Sequence, residues 1–203
     1  MKIVELYGYS CSGKSYLANE MKYKENLNIK FSIISKKKRI LRFLIKIFYI
    51  FFIKIDDIIF IQSIHGEFKF YNLKYKLKNF FSFMYLIGFI RKSIRVNQSV
   101  VIDHGIFQCL FSCFIFASKK NTNYENISQN LTIFFSKLQI NFNYKIICIQ
   151  TDMETIRSRL NKNKKTFQLS FLENNEEKIK DTYTNLKLVS KFISHKNVNF
   201  EFI

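Results

Sequence analysis

The sequence predicts an α/β domain of three layers, with a mainly parallel five-stranded sheet and helices on both faces. Five short apolar or β-branched runs have the length of strands, and most are separated by longer segments with helical spacing. Strands that alternate with helices pair in parallel, because each helix carries the chain back over a sheet face. The chain has 203 residues, the size of one domain, so we expect residues 1–203 to form a single unit.

The elements follow one another in a simple order. A long insertion of almost continuously helical composition, residues 35–97, separates the second run from the third, and we expect it to fold back as two or more helices. An apolar helix, Ile106–Ala117, follows the third run. The expected strands are Lys2–Tyr7, Ile29–Ile34, Ser99–Ile102, Tyr144–Gln150 and Asn197–Phe202.

The most apolar part of the insertion, Ile40–Ile64, approaches a membrane segment in composition. It is interrupted by charged residues, and its longest uncharged piece, Ile47–Ile53, is far shorter than a bilayer crossing requires. We therefore predict buried helix here and no membrane span. The interrupting charges are Arg42, Lys46, Lys54, Asp56 and Asp57.

The first run is followed by a phosphate-binding motif. Gly8–Ser15 reads GYSCSGKS, a complete G-x-x-x-x-G-K-[ST] match between a predicted strand and a predicted helix. Glycines let backbone N–H groups curl around phosphate oxygens, and the helix that begins near Gly13 adds the positive end of its dipole. Lys14 can then reach the β- and γ-phosphates, and the Ser15 hydroxyl can bind Mg²⁺.

The motif defines the candidate nucleotide-binding residues. Cys11 occupies an unconstrained position, and we interpret it as a filler rather than a reactive thiolate. A glycine-containing turn without a ligand is the alternative for the whole segment. The candidates are Gly8, Ser10, Cys11, Ser12, Gly13, Lys14 and Ser15.

A second group of polar residues follows the third predicted strand. Asp103 comes directly after Ile102, so its carboxylate should lie at the carboxyl edge of the sheet, beside the first loop. There it can hold Mg²⁺ through water or orient an acceptor hydroxyl. The alternative is a helix cap. His104 and Gln108 are spaced so that both can face the cleft, and they are candidate substrate-binding residues, although a structural role for His104 stays open.

A cationic helix end follows the fourth predicted strand. Thr151 or Asp152 can cap this helix. Cations on a closing loop stabilise the charge of a transferring phosphoryl group and exclude water, so we predict a lid at residues 157–168. A solvated helix end, favoured by the helix dipole, is the alternative. The cations are Arg157, Arg159, Lys162, Lys164 and Lys165.

Phosphate loop, acidic strand end and basic lid, in this order, resemble the P-loop kinases of the nucleoside monophosphate kinase group, thymidylate-kinase-like in layout. The resemblance spans nearly the whole chain and implies a three-layer P-loop NTPase fold that binds ATP and Mg²⁺. It implies that Gly13–Ser15 bind the phosphates and the metal and that Asp103 is the acid after the third core strand. It also implies that Arg157 lies near the adenine and that Arg159 or a lid lysine reaches the phosphates. His104 stands where thymidylate kinases carry an arginine, which argues against a thymidylate acceptor.

The function expected from these features is ATP-dependent phosphoryl transfer to a small acceptor, for example a nucleoside monophosphate. By this reading Lys14, Asp103, Arg157 and Arg159 carry the catalysis, and Ser15 and Asp103 hold the metal. Two alternatives stay open. One is a nucleotide-binding regulatory or vestigial module without turnover, and the other is a kinase of polynucleotide ends.

Charge and cysteine usage bear on partners and location. The formal net charge is +18, which favours an anionic partner but also follows from an A+T-rich coding sequence. We do not expect nucleic acid as the partner. The four cysteines form no C-x-x-C pair and no export signal precedes the first run, which predicts a reducing, cytoplasmic location. The pattern is compatible with a homodimer.

Overall fold

The chain alternates strands and helices, as a computed structural model shows for residues 1–25, 28–29, 39–119, 123–138, 142–193 and 195–203. The strands are β1 (Lys2–Tyr7), β2 (Asn28–Ile29), β3 (Phe68–Phe70), β4 (Val100–Ile102), β5 (Ala117–Lys119), β6 (Asn143–Cys148) and β7 (Val198–Phe202). The helices of the described ranges are α1 (Lys14–Glu25), α2 (Arg39–Ile50), α3 (Ile55–Gly66), α4 (Leu73–Arg95), α5 (Ile106–Phe116), α6 (Tyr124–Lys137), α7 (Met153–Lys162) and α8 (Thr166–Phe192).

A parallel sheet forms the centre of the molecule. Its strands lie in the order β2-β4-β1-β6-β7, and every pairing is parallel. The strands β4, β1, β6 and β7 make up its main part, and β2 adds two residues at the edge beside β4. The predicted α/β class and parallel pairing are confirmed. Most of the second predicted strand, Ile29–Ile34, lies outside the described residues.

Helices cover both faces of this sheet, because side chains alternate along β1. Ile3 and Tyr7 pack into the large core that α4, α5, α6 and α8 build on one face. Val4 and Leu6 pack on the opposite face, where α1 supplies Ala18. This arrangement agrees with three layers and leaves the carboxyl ends of β1 and β4 side by side.

The insertion between β2 and β4 contains α2, α3 and α4, as its composition predicts, and also the strand β3. This strand pairs antiparallel with β5, so Phe68 lies opposite Lys119. Neither short strand was predicted, because a three-residue strand is defined by its partner rather than by its own pattern. Residues 35–38 of the predicted insertion lie outside the described ones.

The prediction of buried helix for Ile40–Ile64 is correct for one face only. Tyr49, Phe60, Ile61 and Ile64 are buried, whereas large apolar side chains on the opposite side of α2, in the following turn and on one side of α3 face solvent. None of the helices in the described ranges is long and apolar enough to cross a membrane. We call the solvent-facing set the apolar corner; it consists of Leu44, Ile47, Phe48, Phe51, Ile55 and Ile59.

Candidate functional site

The segment between β1 and α1 curls into a compact loop. Gly8, Cys11 and Gly13 have φ values of +153°, +63° and +106°, and such alternation turns successive N–H groups toward one point. Gly8 allows no side chain, because a Cβ there would lie 2.6 Å from the carbonyl oxygen of Ile149. Two of the positions with positive φ, Gly8 and Gly13, are therefore the two glycines of the motif.

Several polar groups of this loop have no protein partner among the described residues. The backbone N–H groups of Ser10, Cys11 and Gly13 donate to no acceptor there. Ser12 is buried, and its Oγ has no partner in the same ranges. The first hydrogen bond of α1 runs from Leu17 N to Gly13 O, so the N–H groups at the start of the helix are also available. Buried polar groups of this kind are normally satisfied, and here an anion would satisfy them.

Lys14 supplies a buried cation to the same loop. Its ammonium donates to the carbonyl oxygens of Gly8 and Tyr9, both at 2.7 Å, and the residue is 7% exposed. Burial lowers the pKa of Lys14 to about 8, and the nearby charge of Asp103 acts in the opposite direction. An ammonium has three donors, so one remains after the two bonds to the loop.

Three distant elements hold the loop in place. Tyr9 N donates to the Tyr183 hydroxyl of α8 at 2.7 Å, and Thr151 Oγ1 donates to Ser12 O at 2.7 Å. Gly8 N donates to Gln108 Oε1 of α5 at 3.1 Å. The loop is thus fixed before any ligand binds, which lowers the entropy cost of binding. The roles of Tyr183 and Thr151 were not predicted.

Asp103 lies where the sequence places it, directly after β4 and beside the exit of β1. It is 6% exposed, and its Oδ1 accepts no hydrogen bond within the described ranges. His104 Nδ1 lies 3.3 Å from that oxygen, without hydrogen-bond geometry. The alternative role as helix cap does not apply, because Gly105 is the N-cap of α5. A buried carboxylate oxygen without a donor is suited to a metal-bound water or a substrate hydroxyl.

A second buried carboxylate, Glu5, supports the turn after Asp103. It accepts hydrogen bonds from Phe107 N at the start of α5 and from the Tyr144 hydroxyl at 3.0 Å. A Cβ at Gly105 would lie 2.1 Å from Glu5 Cδ, so this glycine makes room for the carboxylate. Burial raises the pKa of Glu5 to about 7, although the N–H groups of α5 lower it. Glu5 therefore serves as the missing side-chain cap of α5 and fixes that helix against β1.

A cavity of about 970 Å³ opens in front of the loop. Residues 8–17 form one wall, and the opposite wall comes from α5 and the first turns of α8. His104 and Gln108 line it, as predicted. The aromatic part of the far wall was not predicted; it consists of Phe111, Phe116 and Phe171.

The structure separates the two lid arginines. Arg159 Nη1 donates to Cys11 O at 3.0 Å, and Lys165 Nζ lies 3.6 Å from Cys11 Sγ; both residues line the cavity. Arg157 instead pairs with Glu176 of α8 and is not part of the lining. Two residues along an α-helix turn a side chain by about 200°, so the arginines point to opposite sides. The prediction that Arg157 reaches the nucleotide is therefore not met by this arrangement.

The predicted lid, residues 157–168, is mostly helical. The end of α7 and the start of α8 are joined by Asn163–Lys165, a tight connection in which Lys164 has a φ of +51°. Asp152, rather than Thr151, caps α7, because its Oδ1 accepts from Thr155 N at 2.7 Å. Of the cations near this connection, Arg159 and Lys165 contact the loop, both at Cys11.

Comparisons with protein-family models, with curated proteins and with solved structures give no match to this chain.

Proposed function

We propose that the protein binds ATP with Mg²⁺ at the loop Gly8–Ser15 and transfers the γ-phosphoryl group to a small acceptor in the adjoining cavity. One observation carries the proposal. A buried ammonium, Lys14, sits in a loop of available N–H groups at the mouth of a cavity, within electrostatic reach of the buried carboxylate Asp103.

In this proposal the loop, together with Arg159 and Lys165, binds the phosphates of ATP. The N–H groups and Lys14 would bind the β- and γ-phosphates, and the helix dipole of α1 would add to their effect. Arg159 and Lys165 contact the loop from the other side, where positive charge would stabilise the transferring group. Because these groups are already in position, little reorganisation would precede the transfer.

The residues at hand also fit a magnesium ion. Ser15 carries an exposed hydroxyl at the start of α1, and Asp103 offers an oxygen that lacks a donor. The described residues hold no cluster of three metal-binding side chains, but Mg²⁺ in kinases needs only one or two protein ligands beside phosphates and water. Bound there, the ion would neutralise charge on the phosphates. Asp103 would also orient the acceptor hydroxyl.

The acceptor side of the cavity favours an uncharged, partly apolar molecule. Its wall carries aromatic rings of α5 and α8, with Gln108 and Ser112 as polar groups. The Lys and Arg side chains among the lining residues, Lys14, Arg159 and Lys165, all gather at the loop. A hydroxyl-bearing molecule with a planar or apolar body matches this wall better than a second phosphate ester does.

A screen for ADP release tests the proposal. Nucleosides, nucleoside monophosphates and sugars are each incubated with the protein, ATP and Mg²⁺. We expect turnover with at least one uncharged acceptor and a loss of at least about a hundredfold in Asp103→Asn. Nucleotide binding without turnover across the whole panel would support the alternative of a regulatory or vestigial module.

The two arginines provide a matched pair for the same assay. Arg159→Ala should lower turnover by about tenfold or more, because it removes a cation that contacts the loop. Arg157→Ala should leave turnover close to that of the unmodified protein, because Arg157 pairs with Glu176 outside the cavity. Equal losses in both variants would contradict the assignment.

A further inference from the structure

The apolar corner leaves several large apolar side chains exposed to solvent. Phe51 is 82% exposed and Ile55 is 79% exposed, although both are large apolar side chains. On α2, Leu44, Ile47 and Phe48 share one face, since Leu44 precedes the other two by three and four residues, and Phe51 extends this stripe in the turn after the helix. Contiguous apolar patches of this kind mark interaction sites.

The packing of α2 keeps this stripe pointed outward. The buried face of the helix is held by Tyr49, whose ring lies 5.6 Å from that of Tyr85 and 5.3 Å from that of Phe89. At the crossing with α4, a Cβ on Gly88 would lie 1.9 Å from Tyr49 O. Because the backbones approach this closely, the crossing has little room for the larger side chains on the other face of α2.

Two cations lie at the apolar corner. Lys54 directly precedes Ile55 and is exposed, and Lys92 Nζ lies 4.4 Å from the ring centroid of Phe48. The two acids of the corner are each matched by a cation. Asp56 pairs with Lys137 at 2.9 Å, and Asp57 pairs with Arg91 at 2.6 Å.

We propose that the apolar corner docks the protein on the surface of a membrane that contains anionic lipid. Apolar side chains would enter the boundary between headgroups and acyl chains, and the lysines would lie near the lipid phosphates. A second copy of the chain fits less well. Each copy has a formal net charge of +18, so two such corners placed face to face would repel each other.

Vesicle sedimentation tests this proposal. The full-length protein is mixed with vesicles of phosphatidylcholine alone or of phosphatidylcholine with phosphatidylserine. We expect it to sediment with the anionic vesicles at low salt and to be partly released at high salt. The double substitution Phe51→Ser and Ile55→Ser should lower the partition coefficient by about tenfold or more, because two apolar side chains lose their contact with lipid. Phe192→Ser changes a ring that is 52% exposed on α8 and should have no effect.

Three outcomes would overturn the proposal. The first is that the unmodified protein does not sediment with anionic vesicles at low salt. The second is that the double variant and Phe192→Ser bind equally well, which would leave charge alone as the cause. The third is a lipid-free dimer, measured by light scattering, that the double variant abolishes, which would assign the corner to a second copy. Unchanged thermal unfolding and unchanged binding of MgATP show that the double variant is folded.

Discussion

The carboxylate of Glu5 lies fully buried within β1. Burial raises its pKa from 4.5 to about 7 in the folded protein. Between these two pH values the folded state binds a proton that the unfolded state has lost. The contribution of Glu5 to stability is therefore fully present below pH 4.5 and is lost as the pH rises to 7. The shift corresponds to a loss on the order of 3 kcal/mol, and above pH 7 the effect is complete.

Glu5→Gln removes the titration, keeps an acceptor oxygen for Phe107 N, and places an NH2 group at the Tyr144 hydroxyl, which can rotate to accept from it. The assay is urea unfolding of both proteins from pH 4 to pH 8. Relative to the variant, the unmodified protein should lose roughly 3 kcal/mol of unfolding free energy over this range. All other titrating groups are shared, so they cancel in the difference.

Two results would refute this reasoning. If the two stabilities run parallel over the whole range, Glu5 does not titrate with a raised pKa. If the unfolding free energy of the unmodified protein rises relative to that of the variant between pH 5 and 7, the carboxylate is stabilised in its charged form. Glu5→Ala serves as the control for the capping role, because it leaves the first N–H groups of α5 without an acceptor and should be destabilised at every pH.

Three further predictions concern other parts of the chain. Gly88→Ala should cost at least about 3 kcal/mol of unfolding free energy, because its Cβ would lie 1.9 Å from a carbonyl of α2. Gly66→Ala, with no atom within 4 Å of the added Cβ, should be neutral or stabilising in the same unfolding assay. Arg91→Met should cost about 3–5 kcal/mol, because it leaves the carboxylate of Asp57 buried and unpaired, and adding Asp57→Asn should recover part of that loss. The affinity for MgATP, measured by calorimetry, should be flat below pH 8 and should fall above it, because the pKa of Lys14 is lowered to about 8 and the ammonium then loses its proton. Affinity that rises above pH 8 would contradict the role of this cation.

The features that the sequence predicts are those set by local pattern or by strand order. A glycine-containing motif between an apolar run and a helix predicts a tight loop, and the carboxyl edge of a parallel sheet then brings Asp103 beside it. The separation of Arg157 and Arg159 could also have been predicted, since residues two positions apart cannot share a face of α7. Glu5 carried a signal as well, because a carboxylate within an otherwise apolar strand must find buried donors.

Other features depend on contacts that no local pattern encodes. Tyr183 bonds to Tyr9 across 174 residues, and nothing in either segment marks the other. The strands β3 and β5 exist only as a pair. The basic residues of α2, Arg39, Arg42 and Lys46, recur at spacings of three and four, so the pattern alone favours burial of the opposite, apolar face. In the structure it is Tyr49, on the side of Lys46, that packs against α4. The close crossing at Gly88 decides this, and it leaves the apolar corner exposed.

The central claim, that the loop after β1 binds a triphosphate through its backbone, can be tested at the loop itself. The chain contains five glycines, so protein labelled with ¹⁵N-glycine gives one amide resonance for each of them, and Gly66→Ala and similar variants assign the resonances. We predict that MgATP moves the Gly13 resonance strongly, while Gly66 and Gly88 stay in place and Lys14→Ala greatly weakens the response. An unchanged Gly13 resonance at saturating MgATP, or shifts confined to Gly66 and Gly88, would contradict the claim.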